Sequence, residues 1–177
     1  MRKIKEILIG TYLIELNDFN DHRGHFVKTY AESVYEGMIG GAKFVEDFYS
    51  ISNRDVIRGM HFQKPPHEHL KIVYCPVGSI LDVMLDLRPG NDYGKFCSVL
   101  LDANLPQVLI IPSGVAHGFR SLEDNSVTIY KTTSEYSMEF DSGIRWNSFG
   151  FDWQIEAPSV SVRDKNLIDF NIFSSPF

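Results

Sequence analysis

Short apolar stretches recur along the chain, and glycine, proline, asparagine or aspartate separates each from the next. The stretches are rich in β-branched and aromatic residues, which favours strands. The pattern predicts strands over residues 10–16, 24–30, 43–52, 56–62, 70–77, 79–87, 95–101, 107–112, 116–122 and 126–133. It predicts helix only over residues 31–39 and in a short segment near the C-terminus. Strands therefore dominate the predicted structure.

Strands at intervals of roughly 8–12 residues are typical of a sandwich or barrel rather than of alternating strand–helix units. We predict an all-β fold, an antiparallel jelly roll of the cupin type with a few short helices, whose concave interior is a natural ligand site. Residues 1–177 are predicted to form one domain. The polar-interrupted strands of about residues 1–55 are predicted to pair with a neighbouring subunit in a homodimer, because an exposed sheet edge needs cover.

The net charge of −6 narrows the predicted partners. A negative chain has no overall attraction for nucleic acid or for an anionic membrane, so neither is expected. No apolar run is long enough to cross a bilayer, and the first ten residues lack the apolar core of a signal peptide. Cys75 and Cys97 form neither a disulfide framework nor a metal motif. These features predict a soluble cytoplasmic protein.

A lysine in an apolar strand is the first candidate for chemistry. Alternation of side chains places Lys71 and Cys75 on the same strand face. If the turn at "PVGS" forms a hairpin, Cys75 pairs with Ile80, and Asp82 lies diagonal to Lys71. A buried lysine–aspartate pair is equally consistent with a structural role and with a functional one.

Several polar residues of chemical interest share the same group of strands. His61 shares a face with Gln63, and a lone inward histidine is more often structural than catalytic. Here, however, the clustered titratable and charged residues are Arg58, His61, Lys71, Asp82, His117 and Tyr130. A concentration of such groups on strands or strand ends is a signal of a functional site.

The alternative hypothesis is a metal-dependent cupin enzyme that uses His67, His69 and His117. The segments "HEH" and "IPSGVAH" are similar to the metal-binding elements of that class. A histidine–carboxylate site would need an acid on the strand after His69, and residues 73 and 74 are valine and tyrosine. We therefore predict no metal and no other cofactor, with His67 in a loop and His69 at the rim of the site.

A series of segments runs through the chain in the order "DHRGHF", "VIRGMHFQ", "LKIVYCPVGSILDVMLDLRPG", "LLDANLPQVLIIPSGVAHGF", "VTIYKTTSEYS", "GIRWNS", "FDW" and "SVRD". In order and spacing these segments resemble the dTDP-4-dehydrorhamnose 3,5-epimerase family over about residues 10–170. The resemblance implies epimerisation at C3, C5 or both of a nucleoside-diphosphate-linked 4-keto sugar. The reaction proceeds by proton abstraction, enolate formation and reprotonation from the opposite face.

The resemblance also implies roles for the clustered residues. His61 corresponds to the base, and Asp164 to the carboxylate that orients it. Lys71 corresponds to the group that stabilises the enolate, and Tyr130 to the acid on the other face. His117 is implied as a support for the oxyanion or the sugar. The intact set argues against a third possibility, a protein that binds nucleotide sugars without catalysis.

Substrate contacts are implied in the same way. Arg58 and Arg163 correspond to residues that hold the diphosphate, and Tyr136 to a residue near the base. Arg23 and Phe26 correspond to an N-terminal arm that reaches the nucleotide of the neighbouring subunit. Gln63 is expected to contact the substrate as well.

Four positions depart from the family pattern. Glu46 and Phe48 replace Gln and Asn, Lys28 replaces Glu, and Tyr74 replaces Arg. We place these positions on the nucleotide side or the sugar rim, and expect the first three to contact the substrate. The departures favour a changed nucleotide or sugar, such as a GDP or CDP conjugate in place of dTDP. They leave open whether C3, C5 or both are inverted.

Overall fold

The computed structural model describes residues 3–177, which fold into two large, mostly antiparallel sheets packed face to face. The strands in chain order are β1 (Lys3–Leu8), β2 (Thr11–Glu15), β3 (Asp18–Asp21), β4 (Gly24–Val27), β5 (Glu46–Ser52), β6 (Val56–Gln63), β7 (Lys71–Val77), β8 (Ser79–Asp86), β9 (Phe96–Asp102), β10 (Gln107–Ile111), β11 (Val115–Ser121), β12 (Ser126–Thr132), β13 (Asp141–Gly143) and β14 (Ser159–Val160). The helices are α1 (Glu32–Ile39), α2 (Val162–Lys165) and a 3₁₀ turn (Phe170–Ile172). The predicted all-β jelly roll is confirmed, and each of the ten predicted strands has a counterpart.

The first large sheet has the strand order β1-β2-β10-β7-β12-β5, and the second has the order β13-β6-β11-β8-β9, with β14 parallel to β6. Strands β7 and β8 lie in different sheets, so the predicted hairpin that pairs Cys75 with Ile80 is wrong. Gly78 carries the chain from one sheet to the other with a φ of +75°, and a Cβ there would lie 2.5 Å from Ser126 Oγ. The link requires glycine because of both the positive φ and the close contact.

Apolar side chains from both sheets fill the space between them. Val73 and Leu109 of the first sheet pack in one cluster with Ile80, Met84 and Phe119 of the second. Full burial of such a side chain contributes about 1.5–3 kcal/mol each. This cluster fixes the distance between the sheets and therefore the width of the cavity beside it.

The outer face of each sheet is covered by a different part of the chain. Helix α1 packs Tyr35 and Ile39 against the first sheet. The C-terminal segment covers the second sheet with Trp153, Phe173 and Phe177. None of the helices within residues 3–177 is long and apolar enough to cross a bilayer.

The N-terminal region has two structural parts. Strands β1, β2 and β5 pair with strands of the same chain, through β10 and β12. Strands β3 and β4 pair only with each other and expose Phe19 and Phe26. Of the arm predicted over residues 1–55, this hairpin is the part that joins neither large sheet of its own chain.

Candidate active site

A cavity of about 360 Å³ lies between the two sheets, and most of its lining side chains are polar or aromatic. Its lining comprises Phe48, Ser50, Arg58, His61, Phe62, His69, Lys71, His117, Phe119, Tyr130, Thr132, Tyr136, Asp141 and Arg163. His61 and His117 come from the second sheet, whereas Lys71 and Tyr130 come from the first. The cavity therefore places candidate basic and acidic groups on opposite walls.

A bulge in β6 explains how Arg58 and His61 both reach this cavity. His117 pairs with His61 and Phe119 pairs with Arg58, so β6 has one more residue than β11 between these pairs. Strict alternation would have placed the two side chains on opposite faces. The close strand approach requires Gly118, where a Cβ would lie 2.9 Å from the carbonyl oxygen of Arg58.

His61 is held by a carboxylate from helix α2. Ser161 caps this helix by accepting a hydrogen bond from the backbone N–H of Asp164 at 3.0 Å. Asp164 in turn accepts a hydrogen bond from His61 Nε2 at 2.8 Å and another from the backbone N–H of Gly59 at 3.2 Å. Because Nε2 carries the donated hydrogen, the lone pair of Nδ1 remains for proton abstraction.

The negative charge of Asp164 is stabilised by its neighbours. Burial alone would raise the pKa of Asp164, but the hydrogen bond and charge of His61, the N–H of Gly59 and the charge of Arg163 lower it overall. Arg163 Nη1 also lies 3.1 Å from His61 Nε2, yet that nitrogen cannot accept while it donates to the carboxylate. Asp164 therefore remains ionised and fixes the tautomer of His61.

Lys71 is almost fully buried, with 7% of its surface exposed. Burial lowers the pKa of the Lys71 ammonium to about 8, while the charges of Asp82 and Asp141 oppose this shift. Lys71 and Asp82 thus interact across the space between the sheets, although the hairpin expected to join them does not form. A lysine with this pKa is still mostly charged at neutral pH, in a low-dielectric site where its charge acts strongly.

A second histidine–aspartate pair lies deeper in the protein. His117 Nε2 lies 2.9 Å from Asp82 Oδ2, and both side chains are almost completely buried. Burial lowers the pKa of His117 and raises that of Asp82, and their mutual attraction opposes both shifts. The other carboxylate oxygen of Asp82, Oδ1, is buried without a hydrogen-bond partner.

Tyr130 is positioned by two neighbours on β5. The ring of Phe48 stacks on it with a centroid distance of 4.7 Å and an interplanar angle of 14°. Ser50 Oγ lies 3.4 Å from the phenol oxygen. Burial raises the pKa of Tyr130 strongly, so the phenol keeps its proton and can donate it.

Comparison with known proteins agrees with this arrangement. The family model for dTDP-4-dehydrorhamnose 3,5-epimerase matches residues 5–171. The enzyme of that name from Escherichia coli K12 is 39% identical over 172 residues, which cover 94% of this chain and 93% of the relative.

Two solved structures are similar over nearly their full length. The dTDP-4-dehydrorhamnose 3,5-epimerase of Bacillus anthracis, with TDP and PPi bound, has a TM-score of 0.88 and 33% identity, with 94% of this chain and 99% of that one covered. The dTDP-6-deoxy-D-glucose-3,5-epimerase of Legionella pneumophila, in complex with dTDP-4-keto-L-rhamnose, has a TM-score of 0.91 and 29% identity, with 97% and 94% covered.

The chain belongs to the dTDP-4-dehydrorhamnose 3,5-epimerase family. The prediction of an isomerase of this family is confirmed. The metal-dependent alternative gains no support, because two of its three histidines have other partners. The ring of His67 stacks on Phe140 with a centroid distance of 4.6 Å, and His117 is hydrogen-bonded to Asp82. Within residues 3–177 no three His, Cys, Asp or Glu side chains converge as a possible ligand set.

The residues assigned to the diphosphate, Arg58 and Arg163, and the residue assigned a place near the base, Tyr136, all line the epimerase cavity. Arg163 donates to Asp141 at 2.6 Å, and Tyr136 Oη lies 3.4 Å from the same carboxylate. Arg58 donates to Ser52 Oγ at 3.0 Å. These bonds hold two guanidinium groups at the entrance and leave several N–H donors for a ligand.

The three predicted arm residues do not line this cavity in their own chain. Arg23 forms an ion pair with Asp21 at 2.6 Å near the exposed tip of the β3–β4 hairpin. The ring of Phe26 packs beside that of Phe19 with a centroid distance of 6.3 Å, and Phe26 is 62% exposed. Lys28 lines a separate groove between the hairpin and α1.

Glu46 and Gln63, also assigned to substrate, lie outside the cavity lining. Glu46 accepts a hydrogen bond from the backbone N–H of Tyr136 at 3.0 Å and another from Thr132 Oγ1 at 3.4 Å. Gln63 Oε1 accepts one from the backbone N–H of Ser137 at 2.6 Å. Both side chains hold the loop after β12, and their assignment to the substrate stays a prediction.

Sequence reasoning missed or misplaced several residues. Ser50 shares a strand face with Phe48, so alternation would have identified it. Asp141 lies on the three-residue strand β13, which carries too short a pattern to be recognised. His69 was assigned to the rim, but it is part of the cavity wall. Tyr74 was placed on the nucleotide side or the sugar rim, but it packs with Ile72 on the face of β7 opposite Lys71.

Proposed function

We propose that this protein inverts C3, C5 or both of a nucleoside-diphosphate-linked 4-keto sugar. The observation that carries this proposal is the placement of His61 and Tyr130 on opposite sheets, across one cavity that also contains Lys71. Inversion at carbon needs a base on one face of the sugar ring and an acid on the other. The cavity supplies both groups with a cation alongside them.

The chemical steps follow from these side chains. The 4-keto group acidifies the neighbouring C–H bonds, and Nδ1 of His61 removes one of these protons. The electron pair of the broken C–H bond forms a C=C double bond, the π pair of the keto group moves to its oxygen, and the ammonium of Lys71 stabilises the resulting enolate. Tyr130 then donates its proton to the opposite face of the carbon. Exchange with water returns the proton to Tyr130 and removes the one that His61 has taken.

We assign the diphosphate to Arg58 and Arg163 at the cavity mouth, because guanidinium groups match phosphate oxygens in geometry and charge. We further assign thymidine as the nucleoside. Two observations support it: the relatives named above bind TDP or a dTDP sugar, and Glu46 is engaged within its own chain. A GDP or CDP conjugate is the competing prediction.

The chain is proposed to act as a homodimer in the cytoplasm, each monomer being one domain. The exposed β3–β4 hairpin would carry Arg23 and Phe26 to the cavity of the partner subunit. A mixture of Arg23→Ala and His61→Ala proteins tests this directly. Mixed dimers contain one site with an intact base and an intact arm, so activity should return after subunit exchange. If activity does not return although native mass spectrometry, with one variant isotopically labelled, shows mixed dimers, the arm assignment is wrong.

The proposed reaction is tested by incubation in D₂O with 4-keto-6-deoxyhexoses linked to dTDP, GDP and CDP. Proton NMR should show deuterium entering at C3, C5 or both, fastest with the dTDP sugar. The carbon that exchanges defines the extent of the reaction. Absence of exchange with all three substrates would refute the epimerase proposal, and faster exchange with GDP or CDP would refute only the nucleoside assignment.

A further inference from the structure

The orientation of one buried amide determines the protonation of a histidine in the cavity wall. Gln63 is 4% exposed, and its Oε1 accepts the backbone N–H of Ser137 at 2.6 Å. This bond identifies which end of the amide carries the oxygen. The opposite end, Nε2, is therefore a donor, and its two hydrogens face four acceptors: the carbonyl oxygen of His67 at 3.0 Å, His69 Nδ1 at 3.2 Å, the carbonyl oxygen of Glu135 at 3.2 Å and Ser134 Oγ at 3.3 Å.

A hydrogen on Nδ1 of His69 would face the amide N–H groups at 3.2 Å, and an amide nitrogen has no lone pair to accept it, so we place the lone pair of the ring at Nδ1. A neutral imidazole that accepts at Nδ1 carries its hydrogen on Nε2. Burial, together with the charges of Lys71 and His117, lowers the pKa of His69 to about 3. The ring is therefore neutral at physiological pH and has one fixed donor.

The fixed donor is available to a ligand. His69 lines the cavity, whereas Gln63 does not, so the ring turns Nδ1 away from the cavity and presents its other edge. Lys71 follows two residues later in the same cavity wall. A neutral imidazole can polarise a carbonyl group, and unlike an imidazolium it carries no charge to be desolvated in a buried site.

We infer that His69 donates a hydrogen bond from Nε2 to the keto oxygen of the sugar and forms, with Lys71, a two-donor site for the enolate. This inference rests on the proposed function. An enolate oxygen can accept more than one hydrogen bond, and a second preorganised donor strengthens as negative charge develops. In this assignment Gln63 is a positioning residue, since it acts only through the tautomer of His69.

Three substitutions of His69 test the role of Nε2. Glutamine can place an amide N–H close to the position of Nε2, whereas asparagine places one near Nδ1, and leucine supplies none. We expect kcat for C–H exchange to fall about 10²-fold in His69→Leu and His69→Asn, the usual cost of losing one oxyanion donor. His69→Gln should lie within about tenfold of the wild type, while KM for the dTDP sugar changes little in all three.

A measurement independent of activity completes the test. Long-range ¹H–¹⁵N correlation spectra of histidine-labelled protein should show His69 as the Nε2–H tautomer with no titration between pH 5 and 8. An Nδ1–H tautomer, or His69→Asn as active as His69→Gln, would overturn the inference. Equal exchange rates in His69→Leu and the wild type would also overturn it and would leave the proposed function standing. Asparagine and glutamine variants remain informative if the leucine variant misfolds.

Discussion

Two histidine–aspartate pairs of almost equal length occupy this cavity in very different surroundings. In the first pair, His61 Nε2 lies 2.8 Å from Asp164 Oδ1, and the His61 side chain is 30% exposed. The His117–Asp82 pair spans 2.9 Å, and the His117 side chain is 4% exposed. A base must return its proton to water after each turnover, and His61 has the better access to water. Solvent access therefore distinguishes the proposed base from its buried counterpart.

The two carboxylates also differ in how fully they are hydrogen-bonded, and Asp164 is again the better placed for chemistry. Asp164 also accepts the N–H of Gly59, and its pKa is lowered. Asp82 keeps one buried oxygen without a partner, and its pKa is raised by burial. His61 can therefore gain and lose a proton in each turnover while Asp164 beside it stays ionised. The inner pair is better suited to hold the wall around Lys71.

The largest expected difference comes from removing each histidine. His61→Ala should reduce deuterium exchange by about 10⁴-fold, the upper range for a general base, while the fold remains intact. His117→Ala should destabilise the protein by about 1–3 kcal/mol, because it leaves Asp82 Oδ2 buried without its hydrogen-bond partner. Urea denaturation and exchange rates, measured on both variants, check the contrast.

Similar losses of stability in His61→Ala and His117→Ala would contradict the division into a catalytic and a structural histidine. The same holds if His61→Ala retains more than about a tenth of the exchange rate, since a general base contributes at least 10²-fold. Glu156→Ala is a suitable control because that residue is exposed in the loop before β14 and does not line the cavity.

The carboxylates give the next contrast. Asp164→Asn should reduce exchange by about 10²–10³-fold, because the amide no longer stabilises the charged form of His61 or fixes its tautomer. Asp82→Asn should reduce it less, by about tenfold, since burial already disfavours the charged form of that carboxylate. Steady-state kinetics with the dTDP sugar check both values. A larger loss in Asp82→Asn would show that the inner pair takes part in proton transfer.

Much of this architecture was predictable from patterns along the chain, and the limits have physical causes. Alternation placed Lys71 and Cys75 on one strand face, and the concentration of titratable residues on the strands grouped Lys71 with His117 and Tyr130, which line the same cavity. Alternation could not place Arg58 and His61 together, because a bulge breaks the two-residue period. The pairing of β7 and β8 was wrong because a short turn with glycine fits a hairpin and a crossover between sheets equally well.

The remaining errors concern contacts that depend on distant parts of the chain. His69 precedes a strand in a proline-containing loop, and its position in the cavity depends on Gln63 and Ser134. The role of Glu46 depends on the backbone of Tyr136, which is 90 residues away in the sequence. Local patterns do not encode such contacts, whereas the resemblance to a family supplied the partnership of His61 and Asp164 directly.

The pH dependence of the reaction should report on Lys71. Its pKa of about 8 predicts that kcat falls about tenfold per pH unit above this value, as the ammonium loses its proton. Tyr130 cannot cause this change, because its pKa is raised well above the range. Lys71→Arg, which stays charged, should lose the alkaline decrease and show a lower but flat rate. An unchanged alkaline limb in this variant would exclude Lys71 as the titrating group.

The same lysine predicts a change of stability with the opposite pH trend. Between pH 8 and 10.5 the unfolded chain binds a proton at Lys71 that the folded protein has lost. The contribution of this group to the free energy of unfolding therefore rises with pH across that window. Lys71→Met should remove the rise, which denaturation at pH 7.5 and pH 10 can measure against the wild type.

The smallest expected effect concerns the stacking of Phe48 on Tyr130 at the cavity mouth. Phe48→Leu removes a stacked pair worth about 0.5–1.5 kcal/mol and should slow reprotonation about 3–10-fold. Exchange at the carbon should fall less than product formation, because proton abstraction by His61 does not use Tyr130. Tyr49→Leu is the matched control, since the next residue points to the other side of β5 and is 67% exposed. If both rates fall equally in Phe48→Leu, the stack supports the cavity as a whole rather than the acid, and the assignment of Tyr130 to reprotonation loses this support.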